Sequence, residues 1–176
     1  MQVVYISNNI NLINNPKIGI VDFRNILKES MTMKKLGKEF LQFEKRLNEK
    51  IKKQEKILRD KEFKLSSNKT KISNERYNKE KNNLNKEITN LQKFAFAEKK
   101  ELNLSFKLIQ KKLRDILASI IKKISEEKKI DFVVLKENIF LINNFDLDLT
   151  NEALKEFDKK TSNLKIQFVK KGKKIE

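Results

Sequence analysis

The chain has no cysteine, no histidine and no tryptophan, and only one proline and three glycines in 176 residues. Without cysteine it can form neither a disulfide nor a thiolate site, and the redox compartment is left open. Without histidine as well, zinc sites and imidazole acid–base catalysis lose their usual ligands and proton carriers. Catalysis would have to rest on carboxylates, lysines or hydroxyls alone. Gly19, Gly37 and Gly172 stand too far apart for a phosphate-cradling loop, and Asp131, Asp146 and Asp148 read as caps of strands and helices. The expectation is a protein that is not an enzyme and takes no metal or cofactor. Long apolar runs are also missing. No stretch approaches the roughly 20 apolar residues that span a bilayer as a helix, so a soluble chain is expected. Residues 1–16 lack the basic start, apolar centre and small-residue cleavage site of a secretion signal.

What the chain has in excess is positive charge, 41 Lys and Arg against 24 Asp and Glu, a net of +17. It is unevenly placed. Residues 34–129 hold 29 basic and 14 acidic residues, net +15, which leaves 12 and 10, net +2, for the rest. A general richness in Lys, Asn and Ile can raise the total charge without concentrating it.

That basic stretch has the spacing of two long helices. Leu36, Phe40, Phe43, Leu47 and Ile51, then Leu58 and Leu65 at seven-residue steps, form a coiled-coil type seam. Around residues 65–73 (LSSNKTKIS) helix formers thin out, so the chain should reverse there, with Ser73 as N-cap of the next helix. Ile88, Ala95, Leu102, Ile109 and Ile116 then fall seven apart, flanked by Leu84, Leu91, Leu113 and Ile120. Neither helix can bury its stripe alone, so the two must pack antiparallel. The second would span roughly 70 to 80 Å at 1.5 Å per residue.

The flanks read as short strands. Residues 17–23 (KIGIVDF) form a brief β-branched apolar run, and residues 25–30 could make a helical turn into the arm. Residues 130–135 (IDFVVL) and 139–142 (IFLI) predict two strands joined by a tight turn, and Thr150 predicts the cap of a short helix over residues 151–160. The fold class is thus mainly α with a small β body, a long antiparallel helical hairpin flanked by three short strands. Residues 1–16 form an extension expected to be disordered, 17–32 with 130–160 the β association body, 33–129 the basic arm and 161–176 a basic, loosely held tail. Three short strands bury little surface and leave open edges, so self-association at this end is expected.

The segments IGIVDFRNILKES (residues 18–30) and IDFVVLKENIFLINNFDLDLTNEALKEFDKK (residues 130–160) resemble the opening and closing segments of the Skp/OmpH family of periplasmic chaperones. Residues 131–134 (DFVV) are similar to the family's "DLVV" strand, and residues 148–152 (DLTNE) to its "DITDE" before the last helix. The resemblance covers about residues 17–160. It implies a homotrimer in which the strands assemble into a central body and three hairpin arms enclose a cavity for unfolded outer-membrane proteins, in the periplasm. The chain departs from the family in lacking a visible signal peptide and in its basic tail.

Candidate sites follow. Ile18, Ile20, Val21, Phe132, Val134, Phe140 and Ile142 are core in the first instance, and with the resemblance an intersubunit core. Phe63, Phe96 and Leu104 stand off the seams, where a solvated face would be polar. They are either ordinary scattered apolars or client contacts. Lys52, Lys53, Lys56, Lys64, Lys69, Lys71, Arg76, Lys79 and Lys81 near the arm tip are by default a solvated face. Their functional reading is attraction to acidic clients, anionic lipid or lipopolysaccharide. The leading function is an ATP-independent holdase for unfolded outer-membrane proteins. The alternative is a basic coiled-coil nucleic-acid-binding protein, against which stand the interleaved acids and the lack of a recognition module. A prefoldin-like chaperone would place its strands between the helices, whereas here they flank them.

Overall fold

The computed structural model describes residues 16–165 together with Phe168. The expected N-terminal extension, apart from Pro16, and most of the basic tail lie outside these residues. The order is β1 (Ile18–Val21), α1 (Phe23–Glu29), α2 (Met31–Ser67), α3 (Asn74–Glu127), β2 (Phe132–Leu135), single 3-10 turns at Lys136–Asn138 and Phe145–Leu147, and α4 (Thr150–Thr161).

The hairpin is α2 against α3. At the start of α2 the Ser30 hydroxyl accepts from the Met33 amide at 3.3 Å and the Asp158 carboxylate from the Met31 amide at 3.0 Å. Both occupy first-turn donors that have no partner inside the helix. Helix α2 ends at Ser67, and Ser73 caps α3 by accepting from the Arg76 amide at 3.3 Å, so the predicted reversal is where the polar stretch put it. The 54 residues of α3 extend about 80 Å. Leu36, Leu47, Ile51 and Leu65 of α2 and Leu84, Leu102, Ile109 and Leu113 of α3 are buried along the expected seams.

The core is concentrated at the root. Val21, Ile26, Leu36, Leu113, Leu117, Ile121, Ile124, Leu149, Ala153 and Phe157 belong to one cluster where α3 meets α1, α4 and β1. The seam rule does not include Leu117, Ile121 and Ile124. They are buried because several elements surround the end of α3, which needs a wider apolar stripe than a two-helix seam. A buried hydroxyl pair, Thr32 with Thr161 at 2.7 Å, ties the start of α2 to the end of α4.

Strands β1 and β2 pair in parallel, Ile18 opposite Phe132 through Val21 opposite Leu135. The whole hairpin is therefore the crossover between them. Lys17 and Asp131 clamp the start of the pair: the Lys17 amide donates to the Asp131 carboxylate at 2.6 Å and the Asp131 amide to the Lys17 carbonyl at 2.9 Å. On the other edge of β1, Ile20 bridges Asp148 and its carbonyl accepts from the Leu149 amide at 2.8 Å.

Two expectations differ. Residues 139–142 are not a strand among the described residues, and no β-hairpin forms. Ile139 is extended, with φ −111° and ψ 123°, but the preceding residues KEN wind into a 3-10 turn. They contain no glycine to supply the positive φ of a tight hairpin turn, so the chain runs on instead of folding back onto β2. Thr150, in turn, is the first residue of α4 and not its cap. Its hydroxyl accepts from the Asp22 amide at 2.8 Å, while its own amide donates to Asp148 at 2.9 Å.

Candidate functional site

Two surfaces are candidates: the strand end of the body and the hairpin arm. In the body, Ile20 is 4% exposed and Val21 lies in the core cluster, so the chain's own packing already covers both. This is the core role expected of them in the first instance. Val134 and Ile142 are half-buried, whereas Ile18 and Phe132 are exposed and Phe140 is completely so, at 105%. Leu135, Leu141 and Phe145 are exposed beside them in sequence. Sequence reasoning missed these three because the predicted hairpin would have turned alternate side chains inward. The outer edge of β2 has no ladder partner among the described residues. An apolar segment next to an unpaired edge is a template for another strand.

This end is held in shape by charge. The Lys136 ammonium lies 2.8 Å from the Asp148 carboxylate. Partial burial works against the Asp148 carboxylate, but the bonds from Lys136 and Thr150 outweigh it and hold its pKa below the ordinary value. The same bond raises the pKa of Lys136. Asp131 and Asp148 thus both serve structure, as the sequence suggested. Among the described residues no group of acidic side chains could hold a metal ion.

The arm is less tightly packed than the body. Leu47, Ile51 and Leu102 make a second cluster with Phe40, Phe43 and Ala95 against it. Toward the tip, Leu58, Ile88 and Leu91 are only half-buried. They line, with Glu55, Arg59 and Glu62, an open groove of about 450 Å³ between the helices. A second hollow of about 450 Å³ at the tip is lined by Leu65, Ile72 and Leu84 with Lys61, Lys64 and Arg76. A cross-arm ion pair, Lys61 to Glu87 at 2.6 Å, connects α2 and α3 there.

Phe63 is 73% exposed, Phe96 71%, and Leu104 is exposed as well. The arm also exposes Leu41, Ile57 and Leu108, which the same off-seam rule could have found. Leu104 and Leu108, one turn apart, share a helix face. All nine basic residues named near the tip are exposed. Arg76 pairs with Glu80 at 3.1 Å, and the Lys69 ammonium sits 5.8 Å from the Tyr77 ring centre. Further along, Arg59 pairs with Glu55, Lys122 with Glu126 and Lys123 with Glu127. These pairs interleave acids with bases along the arm, and the nucleic-acid reading gains no support. No helix among the described residues is long and apolar enough to cross a membrane.

A search of curated proteins finds no match to this chain. Among solved structures, one from Caulobacter crescentus CB15, provisionally described as an outer membrane chaperone (OmpH-like), has the same fold. The TM-score is 0.77 at 15% identity, over 85% of this chain and 88% of that one. The family model described as outer membrane protein (OmpH-like) matches residues 17–157, from the residue that clamps β1 to the ring at the centre of α4. A hairpin arm rooted in a small strand body, over that span, places the chain in the OmpH-like family.

Proposed function

We propose that the protein is an ATP-independent holdase that binds unfolded outer-membrane proteins in the periplasm and keeps them from aggregating. The observation that carries this reading is the set of large apolar side chains left exposed along a basic arm anchored at one end only. Phe63, Phe96 and Leu104 are exposed at separate positions along the arm, so they suit many weak contacts with a chain that has no fixed shape. A fully buried side chain of this size contributes about 1.5 to 3 kcal/mol, and a partly covered one less. Binding would therefore be distributed and reversible. The net +15 of residues 34–129 draws in acidic segments from beyond contact, and the attraction weakens with salt over a screening length of about 8 Å at physiological ionic strength. The same charge suits anionic lipid or lipopolysaccharide.

In this reading the working form is a homotrimer assembled through the strand end, with three arms around a cavity. Support comes from the unpaired edge of β2 and the exposed Ile18, Phe132 and Phe140. Sedimentation equilibrium tests it: a species of three times the monomer mass is expected, and a shift to lower mass with Phe140→Asp or Phe132→Asp. A natural chain that stays monomeric at tens of micromolar contradicts the trimer.

A further inference from the structure

Phe168 lies beyond the family match, which ends at residue 157, yet it is packed against both apolar clusters, the body core and the arm-root group of Leu47, Ile51 and Leu102. Its ring meets Phe40 edge-on at 6.0 Å and lies 5.8 Å from Phe43. Phe40 in turn packs on Phe106 across the hairpin at 4.4 Å. The chain arrives from α4 through a turn in which the Leu164 amide donates to the Thr161 carbonyl at 3.0 Å, and Leu164 packs on the body core.

Three phenylalanines at one level of a two-helix arm make a wider apolar surface than the helices can close between themselves, since Phe43 and Phe106 remain half-buried even with Phe168 in place. We propose that Phe168 is an intramolecular plug. Its ring occupies an aromatic site at the root of the arm made by Phe40 and Phe43, with Phe106 stacked behind Phe40. That site accepts an apolar side chain of an unfolded polypeptide when the ring leaves it. Leu164, Lys165 and Phe168 belong to neither helix nor strand, so the ring can leave while α2, α3 and α4 stay folded. A surface of aromatic faces and edges binds such rings without demanding one orientation.

Only the identity of the competing ligand rests on the chaperone reading. The site itself is tested without a client. Full-length Phe168→Ser should bind the neutral apolar dye Nile red at least fivefold more tightly than the natural chain, and Phe168→Leu should fall between them. A peptide of residues 162–176 added to Phe168→Ser should displace the dye, whereas the same peptide carrying Phe168→Ala should not. Hydrogen exchange of the α2 amides around Phe40 should quicken several-fold in Phe168→Ser, with helix content by circular dichroism unchanged. Equal dye binding by all three chains, or displacement by both peptides alike, would overturn the plug. Because no client is present, a failed holdase assay cannot produce either result.

Discussion

Lys136 and Asp148, 2.8 Å apart, hold together the two turns between β2 and α4, and Asp148 also bridges β1 and accepts from the first amide of α4. The bridge to β1 is made by the Asp148 backbone, whereas the turn at Lys136–Asn138 and the start of α4 both depend on its carboxylate staying ionised. Its pKa is below the ordinary 3.8 in the folded state, despite an opposing effect of burial. The stabilisation is therefore complete above the unfolded carboxylate's pKa and is lost as pH falls through the lower folded value. At the other end of the scale, Lys136 has its pKa raised above 10.5 by the same bond, so the pair weakens again as pH rises through that folded value. Asp148→Asn should cost about 1 to 2 kcal/mol near neutral pH. In urea unfolding followed by circular dichroism, its deficit against the natural chain should shrink below about pH 4. A deficit that is constant from pH 7 to pH 2 would show that ionisation is not what matters there.

Gly19 and Gly37 should respond oppositely to alanine. A Cβ at Gly19 would meet the Leu149 side chain at 2.9 Å and Ile130 at 3.2 Å, and Leu149 is buried in the body core. Gly19→Ala should destabilise by about 1 to 3 kcal/mol through overpacking. At Gly37, inside α2, nothing lies within 4 Å of the added carbon. There alanine should stabilise by about 0.5 to 1 kcal/mol, because it restricts the unfolded chain and favours the helix. Thermal melts of the two variants should move in opposite directions.

Lys129 has a positive φ of 54°, a conformation that favours glycine. It closes α3: the Lys129 amide donates to Glu126 at 3.2 Å and the Ile130 amide to Ser125 at 2.8 Å. This pair of bonds satisfies the last carbonyls and turns the chain into β2. Lys129→Gly should relieve side-chain strain of about 1 kcal/mol and raise the melting temperature by a few degrees. A lowered melting temperature would mean that the lysine side chain stabilises the turn more than its backbone strains it.

On the arm, Phe63→Ser, Phe96→Ser and Leu104→Ser should leave the fold intact, since all three side chains are exposed. Each should weaken capture of an unfolded β-barrel protein by no more than about threefold, and the triple variant by about tenfold, roughly 1.4 kcal/mol. Fluorescence titration with a labelled client measures this. One substitution that accounted for nearly all the affinity would point to a pocket in place of distributed contacts.

The hairpin was legible because its physics is local and periodic. The seven-residue spacing located both seams, and the loss of helix formers after Leu65 located the turn and its Ser73 cap. Where partners come from distant parts of the chain, the sequence said less. Leu117, Ile121 and Ile124 share their cluster with Val21 and Ile26 far upstream and with Leu149, Ala153 and Phe157 downstream, which no single-helix period encodes. Thr150 has the chemistry of a cap, but its hydroxyl is taken by the Asp22 amide, 128 positions earlier. Residues 139–142 have strand composition without a strand partner among the described residues, because pairing requires a neighbour that composition cannot supply. Phe168 sat in a tail read as loosely held and without evident role, and only the aromatic cluster at the arm root gives it a place.

The central claim is tested most directly by diluting a urea-unfolded outer-membrane β-barrel protein into nucleotide-free buffer and following light scattering, with and without the chain. With three copies of the chain per client, scattering should fall to a small fraction of the client-alone value, without added ATP and with partial loss of protection in high salt. Scattering as high as for the client alone, at threefold and higher excess of a folded protein, would contradict the account.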